Sequence, residues 1–331
     1  MKKPLFILKS GTLRRKDNTI QIVTDDNVKK DIPIELHDNI YLLNEVTVNT
    51  HLLSYLTQYK ISLHFFNHYG FYIGSYYPRE AKISGQLLVK QVENYSNNEK
   101  RLKIAQKFID AGSYNIYRNL RYYNPKRNGQ LTLYMEQIEN LRKHIFDSKS
   151  ITELMGYEGN IRQVYYSAWK IIVNQDIDFE KRVMHPPDNA INSLISYVNT
   201  LVYTRTLGEI YKTSLNPTIS YLHQASERRF SLCLDISEIF KPIIADRLIF
   251  SLLNKHQITE KDFTKDLNFT HINADARGTI AKALDTKFME TIHHKQLDKE
   301  VSYQYLIRLE CYKLIKHLYG EKEYDGFKIW W

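Results

Sequence analysis

The chain has 331 residues, 43% of them hydrophobic and 25% charged, with a formal net charge of +9 and two cysteines. That composition excludes a disordered chain, a disulfide-framed scaffold and, with no apolar run near the ~20 residues a bilayer needs, a membrane-spanning protein. It leaves room for two domains with cores of their own and favours a polyanionic partner, because each phosphate neutralised by Lys or Arg releases condensed counterions.

The first stretch reads as β. Leu5-Phe6-Ile7-Leu8 is an apolar run closed by Ser10-Gly11, too short for a signal peptide, so a cytoplasmic protein is expected. Thr19 to Val23 alternates around a buried face, and Asn39 to Leu43 and Ser62 to Phe66 predict further strands. Lys16-Asp17-Asn18, Thr24 to Asn27 and Asn67 to Gly70 supply the turns. A short helix is predicted from His51 to Tyr59 with Thr50 as candidate N-cap, and Phe71 to Tyr76 closes the section. From Tyr77-Pro78-Arg79 the pattern turns helical. Gln86 to Val92 and Glu99 to Asp110 carry apolar residues at three- and four-residue spacing, broken at Ser96-Asn97-Asn98, and Tyr134 to Phe146 and Ile161 to Val173 continue the trend. The expected fold class is therefore α+β, with a small N-terminal β-sheet domain over 1–78 and a larger all-α domain over 79–331. The closing Phe327-Lys328-Ile329-Trp330-Trp331 is expected to pack on a helix.

Three segments in the helical part are able to carry chemistry. Glu158 sits between Gly156 and Gly159 before a helical stretch, and reads either as a hard metal ligand or as a first-turn acid favoured by the helix dipole. His223 follows the loop signal Asn216-Pro217; a neutral imidazole ligates manganese and similar ions, and Arg228 and Arg229 lie within reach of a phosphate held near it. The bland reading is a solvated surface loop. Asp235 and Glu238 share a helical face at a spacing of three, with a capping-box pair as the structural alternative. Pro242, four residues on, demands a kink beside Glu238. His185 reads as a loop histidine, and Asp188 as an N-cap after the double proline. The 25 tyrosines suit base stacking, although packing accounts for most of them.

In their order and spacing these segments resemble the CRISPR-associated adaptation integrase family over nearly the whole chain. The matching residues are Gly11 to Thr19, Asp31 to Glu35, Glu158-Gly159, Pro186-Pro187-Asp188 with Asn192, His223, and Leu234 to Pro242 with Asp246-Arg247. The resemblance implies an N-terminal β domain, an α-helical catalytic domain, a homodimer, and a small partner subunit in an adaptation complex. It implies Glu158, His223 and Glu238 as catalytic metal ligands, with Asp235 as a secondary candidate. Two carboxylates and an imidazole suit Mg²⁺ or Mn²⁺. The implied activity is insertion of DNA fragments into repeat DNA by 3′-hydroxyl attack on a phosphodiester. The same ligands would serve a nuclease acting on branched DNA or RNA without integration, and a non-enzymatic nucleic-acid scaffold is the remaining alternative.

Overall fold

The apolar alternation of the N-terminal part becomes eight strands: β1 (Lys3–Ile7), β2 (Gly11–Lys16), β3 (Thr19–Thr24), β4 (Lys29–Pro33), β5 (His37–Leu42), β6 (Val46–Val48), β7 (Ser62–Phe66) and β8 (Tyr72–Tyr76), with helix α1 (Thr50–Tyr59) between β6 and β7. The computed structural model describes residues 2–78, 83–176, 179, 181–183, 187–225, 230–265 and 270–330. One sheet has the order β4-β3-β2-β6 and the other β1-β5-β7-β8. The β2–β3 hairpin pairs Gly11 with Thr24 and Lys16 with Thr19. Asp17 takes a left-handed φ of 49° at its turn, a conformation that Asp tolerates better than most residues. In the second sheet β5 lies parallel to both β1 and β7, and β8 closes it antiparallel to β7. Leu13, Ile20, Ile40, Leu52, Leu56 and Leu63 form the middle of one core between the sheets and α1. Strands β2 and β4 escape a reading by alternation because Lys and Arg crowd their outward faces. There Arg14 donates to Gln21, whose amide donates in turn to Asp31 at 2.6 Å, a polar ladder across three strands. The N-cap of α1 is Asn49, which accepts from the Leu52 amide at 2.9 Å, rather than Thr50.

The rest is mostly helical: α2 (Gly85–Ser96), α3 (Asn98–Tyr123), α4 (Thr132–Lys143), α5 (Ile151–Ser167), α6 (Trp169–Ile172), α7 (Ala190–Tyr211), α8 (Ser231–Lys241), α9 (Arg247–Asn254), strands β9 (Phe263–Lys265) and β10 (Thr270–Ile272), α10 (Ala274–Met289), strands β11 (Thr291–His294) and β12 (Lys299–Ser302), and α11 (Tyr303–Leu318). The expectation of an all-α second part is thus amended by the short strands β9 to β12, of which β11 and β12 pair as an antiparallel ribbon ahead of α11. By its internal contacts the chain divides into two units, Met1–Ala81 with His271–Asp285, and Lys82–Thr270 with Thr286–Trp331. No helix among the described residues is long and apolar enough to cross a membrane.

Helix α8 is the centre of the second unit. It packs on α3 and α7, and its residues from Ser231 to Phe240 are buried except for Leu234. Gly112 of α3 makes the approach possible, because a Cβ there would stand 3.1 Å from the Glu238 carbonyl oxygen. The chain end then straps α3 to α8. Asn115 of α3 donates to the carbonyls of Ile239 and Phe327 at 3.0 and 2.9 Å and accepts from the Ile329 amide at 2.9 Å. Phe327 stacks on Phe240 with ring centroids 5.8 Å apart and meets Trp330 edge-on at 5.6 Å, so these two aromatics pack, while Trp331 lies outside the described residues. At Gly326 an added Cβ would meet the Ala111 Cβ at 2.5 Å and the Lys107 carbonyl at 2.9 Å. Gly326→Ala is accordingly expected to destabilise the protein by about 1–3 kcal/mol, the usual cost of forced overpacking, as read by urea denaturation.

Candidate active site

Glu158 lies in the middle of α5, not in a first turn. Ser150 caps that helix by accepting from the Glu153 amide at 3.1 Å, well before Gly156. Both flanking glycines face open space, with nothing within 4 Å of a would-be Cβ, so α5 keeps a bare flank beside the carboxylate. Asp235 is likewise inside α8 rather than at its start, since the helix begins at Ser231, and the capping-box alternative falls away. After Lys241 the chain does not break at Pro242. It continues as a π-helical turn over Pro242–Asp246 into α9, the rare wide turn that lets a proline stay within a helical run. The kink expected beside Glu238 takes this form.

Helices α3, α5 and α8 line a shallow cleft, formed by Gly112, Ser113 and Ile116 from α3, Glu158 and Arg162 from α5, and Glu238 from α8. Within it Arg162 donates through Nε to Glu158 Oε1 and rests its Nη2 against Glu238 Oε2. The latter contact is an ion pair without a well-directed hydrogen bond, and Glu238 Oε2 has no hydrogen-bond partner among the described residues. Lys241 donates to Glu238 Oε1 at 2.5 Å. Two cations thus stand against two carboxylates, with side chains only 11% exposed at Glu238 and 14% at Lys241. Burial works against the charge of Arg162, but Glu158, Tyr166 and Asp246 together outweigh it and raise its pKa. Burial, reinforced by Arg162, pushes Lys241 down to about 7.

Asp246 closes the π-turn behind this cluster. Burial pushes its carboxyl up to about 7 against the pull of Arg162, the hydrogen bond from Tyr165 and Lys241. The folded state therefore binds a proton that the unfolded chain, with its carboxyl at the ordinary 3.8, has already released. Stability from this group is full below the unfolded value and is lost as pH rises through the folded one. Asp246→Asn, neutral throughout, should remove that fall. Its stability relative to the parent is expected to improve between pH 5 and pH 7.5, by on the order of 2–4 kcal/mol. Denaturant titrations at the two pH values check it.

His223 stands on a loop fastened to α8 by Asp235. The Asp235 carboxylate, fully buried, accepts from the backbone amides of Tyr221, Leu222 and His223 at 2.6, 3.0 and 3.0 Å, and from His223 Nδ1 at 2.8 Å. Arg101 of α3 braces the same loop, donating to the Tyr221 carbonyl at 2.8 Å. A carboxylate only accepts, so Nδ1 carries a proton, and it is Nε2 that has the lone pair in the neutral ring. Asp235 precedes Glu238 by one helical turn, which sets the imidazole along the same side of α8 as the second carboxylate.

The structure thus brings Glu158 and Glu238 together through Arg162, and ties His223 to Asp235 one turn away. The cleft lining does not include His223, and among the described residues no three His, Cys, Asp or Glu side chains close tightly enough to hold a metal ion. The donor chemistry nevertheless fits a hard divalent cation. Two carboxylates already share one positive charge, and the imidazole is oriented by a carboxylate on its far nitrogen, the usual support of a metal-ligating histidine. Arg228, Arg229 and His185 lie outside the described residues. Asp188 is not the N-cap of α7; Asn189 is, accepting from the Asn192 amide at 2.9 Å. Arg162, Lys241 and Asp246 were not singled out for chemistry by sequence. The signal for the first two was spacing alone, four from Glu158 and three from Glu238.

A family model described as CRISPR associated protein Cas1 matches residues 5–286. The chain is similar to the CRISPR-associated endonuclease Cas1 of Fusobacterium nucleatum, at 61% identity over 331 residues, covering 100% of this chain and 98% of that one. Among solved structures it resembles a Cas1 protein from Thermotoga maritima, with a TM-score of 0.87 and 38% identity over 98% of this chain and 100% of that one. A casposase bound to integration product shares the fold, with a TM-score of 0.86 at 19% identity over 98% and 93% of the two chains.

Proposed function

The chain belongs to the CRISPR associated protein Cas1 family, and from that premise we propose that it is a metal-dependent DNA integrase and endonuclease of CRISPR adaptation. The observation that carries this reading is the meeting of Glu158 and Glu238 in one cleft, with His223 pinned by Asp235 on the same helix as Glu238. The proposed ligands are Glu158, Glu238 and the free Nε2 of His223, and the ion is Mg²⁺ or Mn²⁺. When bound, it would supply Lewis-acid polarisation of the scissile phosphodiester and stabilise the charge on the leaving oxygen.

What the chain's own residues do follows from their chemistry. Glu158 and Glu238 fix the position of positive charge at the cleft floor, and Asp235 holds the His223 ring in one tautomer and one orientation. The 3′-hydroxyl oxygen of an incoming fragment forms the new phosphorus–oxygen bond as the target strand's 3′ oxygen departs, so no Ser, Cys or Tyr nucleophile is needed. With water in place of the hydroxyl the same positions serve hydrolysis. The excess of 46 Lys and Arg over 37 Asp and Glu steers the polyanion to the protein. In this reading the partners are DNA fragments, repeat DNA, a second copy of the chain and a small subunit of the adaptation complex, in the cytoplasm.

The test is a labelled DNA fragment with free 3′ ends, incubated with a repeat-bearing supercoiled plasmid and Mg²⁺ or Mn²⁺, with and without the small subunit. Label joined covalently to plasmid is the expected result. Degradation without joined product supports the nuclease reading instead, and neither product under either ion overturns the enzyme assignment.

A further inference from the structure

We propose that Arg162 is the resident counter-cation of the carboxylate pair, displaced by the divalent ion and released to hold the substrate phosphate. The proposal rests on the reading of Glu158 and Glu238 as ligands.

Arg162 spans both helices of the pair. Its guanidinium reaches Glu158 on its own helix and Glu238 on α8. It lines the cleft with them and is only 22% exposed. A divalent ion needs those carboxylate oxygens at about 2.0–2.6 Å. The guanidinium fills the gap between Glu158 Oε1 and Glu238 Oε2, where an ion shared by the two carboxylates would stand, so the two cations compete for one place. The charges argue the same way. Arg162 and Lys241 stand against Glu158 and Glu238, so an added divalent ion leaves the cluster with a surplus of positive charge whether or not Lys241 carries its proton. A phosphodiester in the cleft relieves that surplus. The displaced guanidinium, still rooted four residues from Glu158, carries the planar donor fork that matches phosphate oxygens in pairs.

Metal and phosphate are then linked through one side chain. The ion frees the arginine for the phosphate, and the phosphate holds the arginine away from the carboxylates, so each tightens the other by the same factor. The arrangement keeps the site from loading firmly with metal in the absence of DNA.

The experiment is a Mn²⁺ titration followed by the electron paramagnetic resonance signal of the free ion. It uses the full-length parent, Arg162→Gln, Arg162→Lys and Glu158→Gln, each with and without a short DNA duplex. Without DNA, Arg162→Gln is expected to bind Mn²⁺ at least about tenfold more tightly than the parent, and Arg162→Lys, which cannot span both carboxylates, to lie between. DNA is expected to tighten Mn²⁺ binding by the parent about tenfold or more and by Arg162→Gln far less. An arginine serving the fold alone would lower thermal stability but would not raise metal affinity. Equal or weaker Mn²⁺ binding by Arg162→Gln, or by Arg162→Lys where the glutamine variant does not fold, overturns the exchange while leaving the metal reading intact. Mn²⁺ binding that is unaffected by Glu158→Gln, or no binding by any of the proteins, overturns the metal reading and the exchange with it.

Discussion

Glu158→Gln and Glu238→Gln are both expected to reduce strand transfer and cleavage by about a thousandfold or more, but at very different cost to the fold. A metal's stabilisation of transition-state charge is worth several kcal/mol, and each 1.36 kcal/mol is a factor of ten in rate. A neutral amide in place of either carboxylate forfeits most of that. The stability costs differ because the two acids have different surroundings. Glu158 is 23% exposed and, among the described residues, pairs with Arg162 one turn along its own helix, so its loss is expected to cost roughly 1 kcal/mol. Glu238 is 11% exposed and neutralises both Arg162 and Lys241. Removing it leaves Lys241 without its carboxylate and Arg162 with Glu158 alone at a buried position, a change expected to cost about 3–5 kcal/mol. Glu158→Gln is therefore the cleaner probe of chemistry. Activity on labelled DNA measured beside urea denaturation separates the two effects. Strand transfer by a folded Glu158→Gln protein within tenfold of the parent removes this carboxylate from the site.

The parts of this molecule that were legible in advance are those set by short-range pattern. Ser62 to Phe66 reads as a strand and is one, because its alternation is not interrupted by charge. The helix foreseen from Glu99 to Asp110 runs on to Tyr123, past Gly112 and Ser113, since those small residues serve the close approach of α8 rather than a break. The start of α5 was hidden by Gly156 and Gly159. Each lowers helix propensity by about 1 kcal/mol, a penalty offset here by the Ser150 cap and the packing of Leu154 and Ile161. The candidate ligands were marked by motif order, not by periodicity, and nothing local joins position 158 to position 238. That junction is made by Arg162, whose four-residue spacing from Glu158 was visible but whose reach to α8 is a product of the fold. The same is true of His271–Asp285, which belongs to the N-terminal unit although far from it in sequence. Long-range returns of this kind leave no periodic trace.

Asp235→Asn is expected to be the most damaging of the near-isosteric changes outside the proposed ligands. The two carboxylate oxygens divide four donors evenly: Oδ2 takes the amides of Tyr221 and Leu222, and Oδ1 takes the amide and ring Nδ1 of His223. An asparagine has one acceptor oxygen, so either orientation of its amide sets an NH₂ group against two of those donors at a fully buried position. Lost charged hydrogen bonds and stranded donors together are expected to cost about 3–5 kcal/mol. A second loss adds to the first, because the His223 ring, no longer held at Nδ1, is free to change tautomer and to turn. Loss of a carboxylate that orients a metal-ligating histidine typically lowers metal affinity or activity by about 10–100-fold. Temperature separates the contributions. If Asp235 acts only through the fold, activity returns to the parental level at low temperature, where denaturant titration shows the variant fully folded. If it positions the ring, strand transfer stays at least about tenfold down under those conditions, and Mn²⁺ binds correspondingly more weakly. Full recovery on cooling would leave Asp235 as a structural clamp and remove the support it lends to His223 as a ligand.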